Sequence, residues 1–263
     1  MKIGFIGTGN MGTALIKGLI NSKYVSLDSI CAYDIFKDKL LKLKEELGIN
    51  IGNSNKEIAK ECDVIILAIK PNVYNDILLE IKDDIDENKI IIIIAPGITI
   101  ESVKNILKKG KVVRTIPNTP ALIGEGVTAI SYSENISSND KEIVEKIFGS
   151  CGEVVEIKEN LIDAAMAISS CSPAFVYMFI ESLADAGVSL GLPRDVSYKL
   201  ASKAVSGSGS MVLKTGMHPG YLKDMVTSPG GTTIQGVRTL ERLGLRSALF
   251  EAVISSYEKV KGN

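Results

Sequence analysis

Two kinds of periodicity divide the chain. Over the first 158 residues, short and mostly apolar runs (2–6, 29–33, 63–69, 89–94, 111–115, 127–132 and 153–157) alternate with stretches of helical spacing. Those stretches include Ala14, Leu15, Gly18 and Leu19, then 36–47, 99–107 and 139–148. Apolar runs without polar alternation are what a parallel strand buried on both faces requires. Strands alternating with helices predict a doubly wound, mainly parallel sheet. From Glu159 onward no strand pattern is present. Residues 161–168, 174–190 and 193–213 read as helices, and shorter helices split near Gly244 follow. Ser169-Ser170-Cys171-Ser172-Pro173 reads as a helix break, Gly191-Leu192-Pro193 as a turn, and 216–220 as a second break. The expected organisation is an α/β domain over 1–158 and an all-α domain over 159–263.

Composition narrows the function classes. Hydrophobic residues make up 45% of the 263, enough for a core, and the net charge is −1. That balance gives no basic footprint for nucleic acid, and with no Trp and 5% aromatics a base-stacking platform is not expected. Cys31, Cys62, Cys151 and Cys171 form no C-x-x-C pair, and His218 is the only histidine. No metal site and no disulfide framework are expected. The start, Met1-Lys2-Ile3-Gly4-Phe5-Ile6-Gly7, is too short and glycine-broken for a signal peptide, and 90–95 falls far below the ~20 residues of a membrane span. The expectation is a soluble cytoplasmic protein with no membrane partner.

The first run leads straight into Gly7-Thr8-Gly9-Asn10-Met11-Gly12 and then a helix. Strand, G-x-G-x-x-G, helix is the dinucleotide fingerprint in its required context, which makes the N-terminal sheet Rossmann-type. Gly7 makes the tight turn, Gly9 admits a pyrophosphate and Gly12 lets helix and strand pack. Asp34 ends the second run about 20 residues on, where an acid meets the ribose 2′-hydroxyl. A carboxylate there repels a 2′-phosphate and favours NAD(H). Lys37 can offset that repulsion and admit NADP(H), and if Asp34 is only a cap for 36–47 the preference stays open. Lys70 lies just past a buried strand, at the edge facing the ligand crevice, where a solvent-exposed loop lysine is the alternative. Ile116-Pro117-Asn118-Thr119-Pro120 makes a rigid loop at a similar edge.

In the helical half the informative stretch is 226–236. Pro229-Gly230-Gly231 must turn, and Thr232 or Thr233 can then cap a new helix whose Ile234, Val237 and Leu240 form a buried face. A helix start with glycines and the hydroxyls of Ser228, Thr232 and Thr233 makes an anion pocket sized for a carboxylate. An ordinary capped helix is the alternative. Ala201, Ala204, Ser206, Gly207, Ser208 and Gly209 form a small-residue face suited to close packing with a second copy, with packing inside a monomer core as the alternative. A nucleotide domain joined to an anion pocket suggests a nicotinamide reductase of a small carboxylate. No acid is singled out to protonate an alkoxide, since His218-Pro219-Gly220 reads as a helix-opening turn. A protonated imine already accepts hydride, so a C=N substrate fits better.

The chain resembles pyrroline-5-carboxylate reductase along essentially its whole length. The motifs that carry the resemblance are Gly7 to Gly12, Ala68-Ile69-Lys70-Pro71, 114–126 (RTIPNTPALIGEG), Asp185-Ala186-Gly187-Val188 with Gly191-Leu192-Pro193-Arg194, and 218–236 (HPGYLKDMVTSPGGTTIQG). The resemblance implies NAD(P)H-dependent reduction of 1-pyrroline-5-carboxylate to L-proline. It implies cofactor contacts at Gly7, Thr8, Gly9, Asn10, Met11, Gly12, Asn55, Ala68, Lys70, Pro71 and Ala95, to which the fingerprint spacing adds Asp34, whose charge favours NADH. It implies a substrate cradle at Gly230, Gly231, Thr232 and Thr233, with Ser228 and Thr233 as catalytic hydroxyls and Thr233 facing the ring nitrogen. It further implies a homodimer through the helical domain, sites that combine one chain's nucleotide domain with the partner's helices, and in many members rings of dimers. Two positions depart from the family pattern. Ser170-Cys171-Ser172-Pro173-Ala174-Phe175 stands where Gly-Ser-Gly-Pro-Ala-Tyr is usual, and Asp34 stands where a short polar or basic residue is common. The alternative activity is reduction of another small imine or hydroxy acid. A non-catalytic nucleotide-binding scaffold is a further alternative.

Overall fold

A computed structural model describes residues 1–262. Eight strands form one sheet in the order β3-β2-β1-β4-β5-β6-β7-β8. They are β1 (Ile3–Ile6), β2 (Ile30–Tyr33), β3 (Asn50–Ile51), β4 (Val64–Leu67), β5 (Ile90–Ile93), β6 (Lys111–Ile116), β7 (Gly126–Tyr132) and β8 (Gly152–Glu156). All pairings are parallel except β6 with β7.

Strand residues alternate between two cores. Ile3, Phe5, Val64, Ile66, Ile90 and Ile92 join one buried cluster with Leu15, Ile16 and Leu19 of α1 (Asn10–Ser22), Leu40 and Leu43 of α2 (Lys37–Leu47), and Val144, Ile147 and Phe148 of α6 (Ser138–Gly149). Ile6, Ile65, Leu67, Ile91 and Ile93 join a second cluster with Ile58 of α3 (Asn55–Glu61), Leu78 and Ile81 of α4 (Tyr74–Ile81), and Val103 and Leu107 of α5 (Ile100–Leu107). The sheet is therefore covered on both faces, which is why its strands read as continuous apolar runs. Each fully buried Ile contributes roughly 1.5–3 kcal/mol.

The chain divides into two compact units, one of Met1–Ser170 with the end of the chain from Tyr257, the other Cys171–Ser256. This division falls after residue 158 because α7 (Ile162–Met166) belongs with the sheet. Ile162 and Met166 pack with Ile116 of β6 and with Val260 near the end of α12 (Leu245–Lys261). A charge cluster reinforces that packing. Buried Arg114 of β6 pairs with Asp163 at 2.5 Å and with Glu159 at 3.6 Å, and Lys261 reaches Asp163 at 3.1 Å.

The expected break at 169–173 is corrected. Ala167–Cys171 widens into a π-helical turn and runs on into α8 (Ser172–Ser189). Pro173 stands at the start of α8, where a missing N–H costs no helical bond. The helical unit also contains α9 (Arg194–Thr215), α10 (Pro219–Met225), α11 (Thr232–Arg242) and the first part of α12. Pro193 and His218 are N-caps, and His218 Nδ1 accepts a bond from Gly220 N–H at 3.1 Å, the helix-opening role expected of it. Among the described residues no strand follows residue 159.

Candidate functional site

The chain order reverses across β1, so the C-terminal ends of β1 and β4 open a ligand crevice at a topological switch point. Gly7 leaves β1 there with φ +95°, and a Cβ on it would fall 2.4 Å from the Ala68 carbonyl oxygen. A Cβ on Gly12 would lie 2.6 Å from Gly7 O. Gly9 differs, since nothing stands within 4 Å of the place its Cβ would occupy. The loop is thus walled behind and open in front. Gly9 is the N-cap of α1, with no side-chain cap, so the N–H groups of Asn10, Met11 and Gly12 start the helix without helical acceptors. Close backbone, open space and a positive helix end fit a pyrophosphate.

Thr8 is fully buried and faces inward. Its N–H and its hydroxyl both donate to Asp34 Oδ2, at 2.7 and 2.9 Å, and its carbonyl accepts from the Thr13 hydroxyl at 3.1 Å. Asp34 Oδ1 accepts from Phe36 N–H at 3.0 Å. Asp34 is therefore not the cap of α2, whose N-cap is Phe36, but a turn-forming acid tied to the glycine loop. Exposed Ile35, Phe36 and Lys37 follow it.

Other expected cofactor contacts gather at the same sheet edge. Ala68 follows β4 and donates its N–H to Ile6 O at 2.8 Å. Lys70 is exposed and caps the short turn Pro71–Val73. Ala95 is buried two residues past β5. Asn55 opens α3 with its carboxamide engaged by Glu80 Oε2 at 2.8 Å. One residue here was not anticipated from sequence. Buried Tyr74 donates its hydroxyl to Leu67 O and accepts from Ile94 N–H at 3.3 Å, so it ties the ends of β4 and β5 together. Burial pushes its phenol well above the ordinary tyrosine value. Its only sequence signal is an aromatic residue four positions after Lys70. A second clamp holds the 117–120 loop. Asn118 Nδ2 donates to Ser169 O at 2.9 Å, its Oδ1 accepts from Val127 N–H at 2.9 Å, and the Ser170 hydroxyl donates to Pro117 O at 3.1 Å. Burial pushes the thiols of Cys31 and Cys151 up and that of Cys62 to about 12, so none of these three is a ready nucleophile.

The turn at 228–233 is built differently. Gly231 is the N-cap of α11 with no side-chain cap bond, which corrects the expectation that Thr232 or Thr233 caps the helix. Both threonines sit in the first turn instead, with exposed side chains, as does the side chain of Ser228. The extended backbone of Gly231, at ψ 175°, sets the helix start one residue early. Gly231 N–H is spent on Ser228 O at 3.0 Å. The N–H groups of Thr232 and Thr233 begin the helix, and the hydroxyls of Ser228, Thr232 and Thr233 make no hydrogen bond among the described residues. Ile234 and Val237 are half-buried and Leu240 is exposed, so the face expected to be buried is not closed within the unit. The turn offers donors on one small surface and no acidic side chain within it, which suits a carboxylate.

A family model described as pyrroline-5-carboxylate reductase dimerisation matches residues 159–262, and one described as NADP oxidoreductase coenzyme F420-dependent matches residues 2–97. The chain is 44% identical over 259 residues to the pyrroline-5-carboxylate reductase of Escherichia coli (strain K12), covering 98% of this chain and 96% of that one. It is 41% identical over 261 residues to that of Methanosarcina acetivorans, covering 99% and 97%. A crystal structure of Plasmodium falciparum pyrroline carboxylate reductase with NADP bound is 38% identical, covers 100% of this chain and 97% of its own, and superposes with a TM-score of 0.90.

Proposed function

The chain belongs to the pyrroline-5-carboxylate reductase family, and on that premise we propose which of its residues bind and orient the reactants. The enzyme is an NAD(P)-dependent oxidoreductase that reduces the C=N bond of 1-pyrroline-5-carboxylate to L-proline, the last step of proline biosynthesis. When bound, the reduced nicotinamide supplies the hydride that the imine carbon accepts. We propose that residues 1–158 hold the cofactor, with the pyrophosphate on Gly7 to Gly12 and further contacts from Asp34, Asn55, Ala68, Lys70, Pro71 and Ala95. Residues 159–263 bind substrate and a second copy of the chain.

The observation that carries the substrate reading is the set of unengaged hydroxyls at the start of α11. The N–H groups of Thr232 and Thr233, with the Ser228 and Thr232 hydroxyls, hold the carboxylate, and Gly230 and Gly231 let it approach. The Thr233 hydroxyl faces the ring nitrogen and fixes the ring against the cofactor. The protonated imine brings its own proton, so orientation rather than acid catalysis is what these residues supply.

The cofactor is a nicotinamide nucleotide. We propose a preference for NADH, because the Asp34 carboxylate repels a 2′-phosphate. We also propose a homodimer through the helical unit, with rings of dimers above it, and a cytoplasmic location, which four unpaired cysteines suit. Residues 159–189 form a helical run long and apolar enough to cross a membrane. The dimerisation match over the same residues supports a second copy as its cover.

The test is oxidation of NADH and NADPH, side by side, by the purified protein with 1-pyrroline-5-carboxylate. Faster turnover with NADH supports the Asp34 assignment. Faster turnover with NADPH removes it and leaves the reaction in place. No turnover by folded, cofactor-binding protein points to another imine.

A further inference from the structure

A carboxylate offers about four acceptor sites. In Asp34 three are filled: Oδ2 takes the N–H and the hydroxyl of Thr8, and Oδ1 takes the Phe36 N–H. One site is left, on Oδ1, at the exposed start of α2. We propose that Thr8 is a specificity-determining positioning residue, whose hydroxyl closes Oδ2 and so commits the remaining site of Asp34 to one adenosine ribose hydroxyl. This rests on the reading of Asp34 as the residue that meets the ribose. The fingerprint needs only the backbone of the residue between its first two glycines, so it does not call for a hydroxyl there. Here that hydroxyl is wholly buried and aimed at the acid. Thr8 is itself held, because its carbonyl accepts from Thr13. The acid and the loop thus form one unit, and the carboxylate cannot rotate without breaking bonds to the loop. A ribose hydroxyl can donate to that acceptor. A 2′-phosphate brings negative charge and acceptors to the same place and cannot use it.

The experiment compares kcat/KM for NADH and NADPH in the wild type and in Thr8→Val, Thr8→Ser, Asp34→Ser and the Thr8→Val/Asp34→Ser double variant. Thr8→Val keeps the shape and the backbone donor and removes the hydroxyl. It lowers the NADH/NADPH ratio by about fivefold, less than the ~10–100-fold of a hydrogen bond to a charged group lost from the cofactor itself, because Thr8 acts on the cofactor only through Asp34, and it does so through KM for NADH rather than kcat. Thr8→Ser restores the ratio, and the double variant shifts it no further than Asp34→Ser alone. If Thr8→Val leaves the ratio within twofold of wild type while Asp34→Ser moves it, the Thr8 proposal is wrong and the Asp34 reading stands. If Asp34→Ser also moves nothing, both are wrong. Should Thr8→Val not fold, Thr8→Ala is read by the same criteria, with cofactor dissociation constants from quenching of protein fluorescence as a second measure.

Discussion

The two units handle apolar surface in opposite ways. The sheet unit closes on itself, with one buried cluster on each face. In the helical unit, among the described residues, only Ala184 and Ala201 are buried apolar side chains, while Met178 is 66% exposed, Leu213 76% and Phe250 66%. Beyond the adjoining backbone of α9 itself, a Cβ on Gly207 or Gly209 would meet no atom of the described residues within 4 Å. At roughly 1.5–3 kcal/mol for each large side chain left in water, such a unit is unfinished as a single copy. Their polar groups show the same contrast. Around the glycine loop Thr8 is bonded to Asp34 and to Thr13, whereas the hydroxyls at 228–233 make no hydrogen bond among the described residues. The first unit is complete before anything binds. The second is shaped by what it will meet.

Substitutions in each unit can separate these two conditions. The largest effect is expected from Asp163→Ala, which strands the buried Arg114 guanidinium. Unfolding in urea should lose about 3–5 kcal/mol, since an unpaired buried charge is left behind; a loss below 1 kcal/mol would mean that Glu159 alone satisfies Arg114. Met178→Glu on α8 should do the reverse, weakening self-association by roughly 10–100-fold, as an interface hot spot does. Sedimentation at graded concentrations reads this, and unchanged association would remove α8 from the interface. Thr233→Ala should lower kcat/KM by ~10–100-fold through a lost hydrogen bond of ~1.5–3 kcal/mol to a charged group. Stability and association should stay as they are, and wild-type kinetics would end the role assigned to Thr233. The smallest effect concerns Asp140. Burial raises its pKa, but Lys111 and Ser137 outweigh that and hold it below the ordinary carboxylate value. A depressed carboxyl stabilises above its unfolded pKa, and that share is lost as pH falls through the folded pKa. Asp140→Asn should therefore flatten the acid limb of the stability–pH curve, and an unaltered limb would show that another carboxylate sets it.

The sheet was legible in the sequence because burial on both faces removes polar alternation, as in Ile90–Ile93. The two-residue β3 and the seven-residue α3 were not read, being too short to show a period. Pro173 suggested a break because proline cannot sit inside a regular helix. The chain instead absorbs it at the start of α8, after a π turn whose Ser169 and Ser170 are bonded to Asn118 and Pro117. The glycine loop was visible as a motif, but its lock was not. Nothing in the order of residues says that Thr8 turns inward to Asp34, because that depends on β1 and β2 lying side by side. At 228–233 the sequence announces a turn into a helix but places the cap one residue late, since Gly231 rather than a threonine begins the helix.

The sheet unit takes its last contacts from the end of the chain, where Val260 packs on Ile162 and Met166, and Lys261 reaches Asp163. During synthesis this fixes a calendar. Strands β1 to β8 emerge and can pair early, but their final packing waits while roughly a hundred more residues are added, about 5–20 s at ~5–20 residues per second. The whole helical unit is made within that wait. The sheet unit therefore cannot reach its finished state before the apolar helices that seek another copy have all been made.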